Sequence, residues 1–422
     1  MDARPHSSFA GTRTLIAAIA IASAATLATA IGYASLRDEK RVHTVGTTRA
    51  GAVAPGRSAV EALLNRQARA VRTHDRTAFL AAVDPQQPGY EARQGELYDR
   101  LALLPITGWR EDPEAAVASG GTTWRVTQRY RLAGFDQGDV TGTRYLTFAR
   151  RAGIGWVITG DGTGQGLADD AEIWDGGPVT VLRGRYSLVI GNDASRSGLA
   201  EIARRLDEAV PIVSGVVGTH WAGRVVALVP ASADQVESLI GGGQSLREIA
   251  ALATVTRNPG GPAYGQDRII IAPDTFAKLN ALGRHVVLTH ELTHVATGGA
   301  KDAVTPIWLI EGLADYVGYK DVQVAVGAAA SELRAEVHNG QLPSHLPDRG
   351  DFAGTSGRLS QAYEEAWLAC RMVAERYGQD RLVQLYRAAG RESQDSALHA
   401  VLGLGTADFT TMWQAYLRRQ LG

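Results

Sequence analysis

His290 and His294 stand four residues apart with Glu291 beside the first, in the run His290-Glu291-Leu292-Thr293-His294, and this run restricts the fold more than any other part of the chain. Positions four apart lie one above the other on a helix, so a helix here brings both imidazoles to a single ion. The flanking residues agree: Val286, Val287, Leu288, Leu292 and Val295 supply an apolar side, and Gly298-Gly299 supplies a stop. The histidine pair alone is weak, because two exposed histidines reach this spacing by accident. Glu291, placed to face a water on the ion, strengthens the reading without settling it.

The segment Pro306-Ile307-Trp308-Leu309-Ile310-Glu311-Gly312-Leu313-Ala314-Asp315-Tyr316 removes most of that ambiguity. Pro306 suits a helix start. Glu311 sits inside an apolar run, where an unpaired carboxylate is costly and coordination to a cation removes the cost. Asp315 follows one turn later on the same face, placed to accept a hydrogen bond from a ligand histidine. Two histidines, a glutamate and an open fourth position for water form a ligand set of hydrolytic zinc sites. Cys370 is the single cysteine, so a thiolate metal site and an intrachain disulfide are both excluded.

On these residues the chain resembles the gluzincin metallopeptidases, and its Trp308-Leu309-x-Glu311-Gly312-x-Ala314 pattern is similar to the peptidase MA-like families. The resemblance implies zinc on His290, His294 and Glu311, Glu291 as general base, and a role for Asp315 behind a ligand. It also implies a peptide or protein substrate, hydrolysed by a water that zinc activates. Tyr363 is a candidate second donor to the oxyanion, since related enzymes place a tyrosine on a helix after the third ligand; His338 and His345 are further candidates. Membrane-alanyl-type aminopeptidases carry a Gly-Ala-Met-Glu-Asn loop, whereas Gly260-Gly261-Pro262-Ala263-Tyr264 has no glutamate, which favours an endopeptidase.

The rest of the chain reads as an α+β protein. Leu15 to Ala34 is uncharged, and its twenty residues match a bilayer's hydrocarbon thickness. The expectation is a single-pass transmembrane helix within residues 1–40, with the body outside the cytoplasm. Secretion after cleavage at Ala28-Thr29-Ala30 is the alternative. A linker at 41–56 leads to a small α+β unit, 57–165, that begins with a helix from Ser58 and resembles a nuclear-transport-factor-2-like cone domain in pattern. A Gly- and Asp-rich linker, 166–178, precedes the peptidase-like domain, 179–422, with its mixed sheet and C-terminal helical lobe. Within that domain Leu246 to Leu252 reads as helix. Arg268 to Ala272 reads as a strand, either an edge open to an extended substrate or part of the core.

Forty-three basic and 44 acidic residues leave a net charge of −1, so no global field recruits nucleic acid. The function expected is a membrane-anchored zinc metallopeptidase. The alternative is a catalytically silent zinc-binding or scaffold protein whose cone domain binds a ligand or partner.

Overall fold

The computed structural model describes residues 54–117, 121–192, 194–241, 249–256, 258 and 265–422. Helices α1 (Arg57–Arg72), α2 (Arg76–Leu80) and α3 (Pro88–Leu101) come first. They pack on an antiparallel sheet in the order β1 (Ile106–Ala116), β2 (Thr123–Leu132), β3 (Val140–Arg151) and β4 (Gly155–Asp161). Val60, Leu63, Leu64, Val126, Phe148 and Ile158 form part of the core between α1 and the sheet. Gly56 is the N-cap of α1, so Ser58 lies inside the first turn and makes no capping bond.

The second sheet is mixed. The chain folds back on itself at the start of this sheet as the hairpin β5 (Val179–Arg183) and β6 (Ser187–Asn192). Asp207 stabilises the turn by accepting hydrogen bonds from the amides of Arg185 and Tyr186 and from the Ser187 hydroxyl. Helix α4 (Arg196–Val217), β7 (Val225–Val229) and α5 (Ala233–Ile240) follow, then β8 (Ala251–Val255) and β9 (Asp267–Ile271). The strand order is β5-β6-β7-β9-β8, with β6, β7 and β9 parallel and β8 antiparallel on the edge. Leu252 therefore lies in a strand rather than a helix. Of the two readings of Arg268 to Ala272, the core strand is the one found: Asp267–Ile271 is an inner strand, and β8 occupies the edge.

Side chains alternate across this sheet, as a strand's period of two requires. Val189, Val225, Ala227, Ile269 and Ile271 join the core with α4 and the later helices. Leu188, Ile190, Val226, Leu228 and Ile270 face the other way, onto Trp109, Tyr130, Leu132 and Trp174. The sheet is thus sandwiched, with the N-terminal unit covering one face. Ile173 and Trp174 are buried in that contact, so the segment read as a linker is a packed connection.

Helices α6 (Pro273–Lys278), α7 (Ala281–Thr297), α8 (Ile307–Gly318), α9 (Val326–Ala329), α10 (Ser331–His338), α11 (Leu359–Tyr377), α12 (Gln379–Ala389), α13 (Gln394–Leu402) and α14 (Thr406–Leu421) complete the chain. The architecture of the described residues is mixed α/β, and the fold class that included a transmembrane helix is corrected. Residues 15–34 lie outside the described residues, and no described helix is long and apolar enough to cross a membrane. The 22-residue α4 shows why: Leu199, Ile202, Leu206, Val210 and Val213 form one buried stripe, while Arg196, Glu201, Arg204, Arg205, Asp207 and Glu208 add charge. That is the pattern of an amphipathic helix with one face on a protein core.

Candidate metal centre

Helix α7 starts where the Asn280 side chain accepts a hydrogen bond from the Gly283 amide at 2.8 Å, and it stops at Gly298, whose φ of 72° suits glycine. Every residue from Val286 to His294 is buried, with His290 at 0 % and His294 at 1 % exposure. Helix α8 is buried on nearly all sides and packs against α7 and α11. Gly312 permits the second contact: a Cβ there would meet the Ala366 carbonyl oxygen at 2.3 Å.

This packing brings His290, His294 and Glu311 together. The two Nε2 atoms lie 3.0 Å apart, and Glu311 Oε2 is 3.2 Å from His290 Nε2 and 3.3 Å from His294 Nε2. A tetrahedral ion with bonds of about 2.0–2.1 Å needs donors about 3.3 Å apart, so the residues fit zinc. The donor chemistry fits as well. Asp315 Oδ1 lies 2.7 Å from His290 Nδ1 and accepts its N–H, which leaves the Nε2 lone pair facing the cluster. His294 Nδ1 is buried with no hydrogen-bond partner among the described residues, and a Cβ on Gly299 would meet it at 2.8 Å, so glycine there makes room for the ring.

The electrostatics favour a cation. Burial opposes charge on His290, but Asp315, Glu311 and Glu291 outweigh it and hold the imidazole pKa well above its ordinary value. Burial also opposes ionisation of Glu311, yet His294 and His290 draw its carboxyl down to about 2. Burial pushes Glu291 up to about 7 against the pull of both histidines. Glu291 Oε2 accepts the Ala253 backbone N–H at 2.6 Å. Its Oε1 is buried with no hydrogen-bond partner among the described residues.

Tyr363, on α11, is 3 % exposed and its ring centroid lies 6.2 Å from that of His290. It is packed edge-on against Phe352. The other two candidates go elsewhere. His338 ends α10, exposed and bonded to Arg334, and His345 lines a surface cavity of about 340 Å³ with Pro306, Trp308 and Arg349. The sequence reading missed Ala253, whose contribution is a backbone amide and carries no residue signal. It also missed the steric role of Gly299, which reads as part of a helix stop.

Residues 241–419 match the family model described as the Peptidase MA superfamily. Among solved structures, the chain is similar to an M1 zinc metallopeptidase mutant from Deinococcus radiodurans at 13 % identity and a TM-score of 0.33. The same mutant bound to a Tyr-Ser-Ala substrate gives 12 % and 0.32. Each comparison covers 75 % of this chain and 62 % of that one, so the chain spans less than two thirds of their length. No curated protein matches. The stretch that carries His290, His294 and Glu311 is therefore similar to the Peptidase MA superfamily in sequence and brings together three donors that could hold a metal ion.

Proposed function

We propose that this protein is a zinc-dependent endopeptidase with Glu291 as its general base. The observation that carries the reading is the buried His290, His294 and Glu311 trio at tetrahedral spacing, with a buried, unpaired carboxylate oxygen beside it. Those three residues would hold the ion, which when bound lowers the pKa of a water to about 7 and polarises a carbonyl. Glu291 takes the proton on Oε1, the oxygen left free by its bond to Ala253, and passes it to the leaving nitrogen. Asp315 keeps His290 in the tautomer that presents Nε2. The Tyr363 ring lies 6.2 Å from that of His290, and we assign Tyr363 as the second donor to the oxyanion.

Strand β8 is the sheet edge nearest Glu291, and an extended peptide adds to such an edge through main-chain hydrogen bonds. Neither Ala251-Leu252-Ala253-Thr254-Val255 nor Gly260 to Tyr264 contains an acidic residue to grip a substrate amine, which supports cleavage of internal bonds. The test is incubation of the full chain with casein and a peptide library, with and without chelator, reading cut sites by mass spectrometry. Internal cuts that chelation abolishes and zinc restores are expected. Stepwise release of N-terminal residues would replace endopeptidase by aminopeptidase, and absence of any chelator-sensitive cleavage would remove the reading.

A further inference from the structure

The edge hairpin formed by β8 and β9 is gripped from two directions. Ala253 meets Glu291, and Lys301, just after α7, holds Asp267 at 2.9 Å. On the opposite face of the sheet, Arg268 is 3 % exposed and forms a two-pronged pair with Asp136, Nη1 to Oδ1 at 2.7 Å and Nη2 to Oδ2 at 3.0 Å. Asp136 belongs to the turn between β2 and β3, in the N-terminal unit. Its Oδ2 also accepts the Leu132 amide at 2.7 Å, which ties the carboxylate to its own strand. Two further bonds run between the same turn and the hairpin region. The Gln137 amide donates to Gln266 Oε1 at 2.8 Å, and Asn258 Nδ2 donates to the Asp139 carbonyl at 3.4 Å.

The register makes this grip relevant to the metal centre. Arg268 pairs across the strands with Thr254, and Ala253 pairs with Ile269, so the buried guanidinium is one residue pair away from the amide that holds Glu291. An edge strand of five residues with a single strand neighbour depends on such outside contacts for its position. A charged, bidentate, buried pair is the strongest of those available, and its planar fork sets direction as well as distance.

We propose that Asp136 is a positioning residue for the reaction at the metal centre: through Arg268 it fixes the β8–β9 hairpin, and so the Ala253 amide that orients Glu291. The inference rests on Glu291 serving as the base. Asp136 touches none of the metal ligands, so its loss is expected to lower kcat with zinc content held, and KM is expected to rise as well because β8 is also the edge assigned to the substrate. Asp136→Asn keeps the shape and removes the charge, and Asp136→Glu restores the charge.

The experiment uses the full zinc-loaded chain and reads hydrogen exchange of the 250–256 amides beside kcat and KM. In Asp136→Asn those amides should exchange roughly tenfold faster or more, while amides of α7 and α11 keep their wild-type protection. The kcat should fall several-fold, and Asp136→Glu should recover part of both losses. Wild-type exchange at 250–256, or faster exchange spread evenly over the molecule with kcat unchanged, would overturn the proposal. If the wild-type chain cleaves no peptide, the reading of the metal centre fails, and the exchange measurement alone still decides whether Asp136 holds the hairpin.

Discussion

The two faces of the second sheet bury charge in opposite ways. On the face covered by the N-terminal unit, Arg268 and Asp136 neutralise each other, and the exposures of their side chains are 4 % and 1 %. On the other face Glu291, Glu311 and Asp315 crowd around His290 and His294, and no arginine or lysine completes the set among the hydrogen bonds described. A buried charge is retained only if something offsets its lost hydration. The first face is closed within the protein. The second has its acceptors and lone pairs converging on one point, which is the arrangement a cation completes. Burial alone therefore does not mark a functional site, whereas burial with unbalanced donors does.

Breaking the closed side should have the largest effect on stability. Asp136→Ala leaves Arg268 buried without a counter-ion and is expected to cost about 3–5 kcal/mol in urea unfolding, with zinc binding by the folded protein retained. On the other side, Glu291→Gln should keep the metal and lower turnover by about 10²-fold or more, measured on any peptide that the wild type cleaves. Unchanged turnover would make Glu291 a bystander. Asp315→Ala should weaken zinc binding more than Asp315→Asn, within the roughly 10- to 100-fold range of residues that orient a ligand. Competition titration with a chelator measures both, and equal affinities would leave Asp315 without a role at the metal.

The smallest effect is a pH dependence of the zinc-free chain. Burial raises Glu291 from 4.5 to about 7, so over that interval the folded state binds more protons than the unfolded state. Its contribution to stability is present below pH 4.5 and is lost as the pH rises through 7. Chelated Glu291→Gln should therefore gain on chelated wild type in urea midpoint between pH 5 and pH 8. A constant difference would show that Glu291 does not titrate in that range.

The metal-bearing helices were legible because their signals are local. Gly298 ends α7, Pro306 precedes α8, and Glu311 stands in an apolar run where a carboxylate needs a cation beside it. What failed to show was set by distant partners. Strand β8 reads Ala-Leu-Ala-Thr-Val, three of its five residues good helix formers, and is a strand because β9 lies beside it. Strand β1 went unread because Glu111 and Pro113 occupy inward positions beside Trp109, which spoils the apolar alternation. The packed connection at 166–178 looks like a linker by composition, but Trp174 makes it part of the core between the sheets. The Arg268–Asp136 pair joins residues 132 positions apart, a distance at which no motif operates.

The central claim is that His290, His294 and Glu311 form one zinc site, and calorimetry with metal analysis tests it directly. Chelated wild-type chain should take up about one zinc and its unfolding temperature should climb with added zinc, by about 4 kcal/mol of stabilisation at a thousandfold excess over Kd. The triple variant His290→Ala, His294→Ala, Glu311→Ala should remain folded, bind no stoichiometric zinc and show no such climb. Full zinc uptake with the same thermal shift in the triple variant would contradict the account.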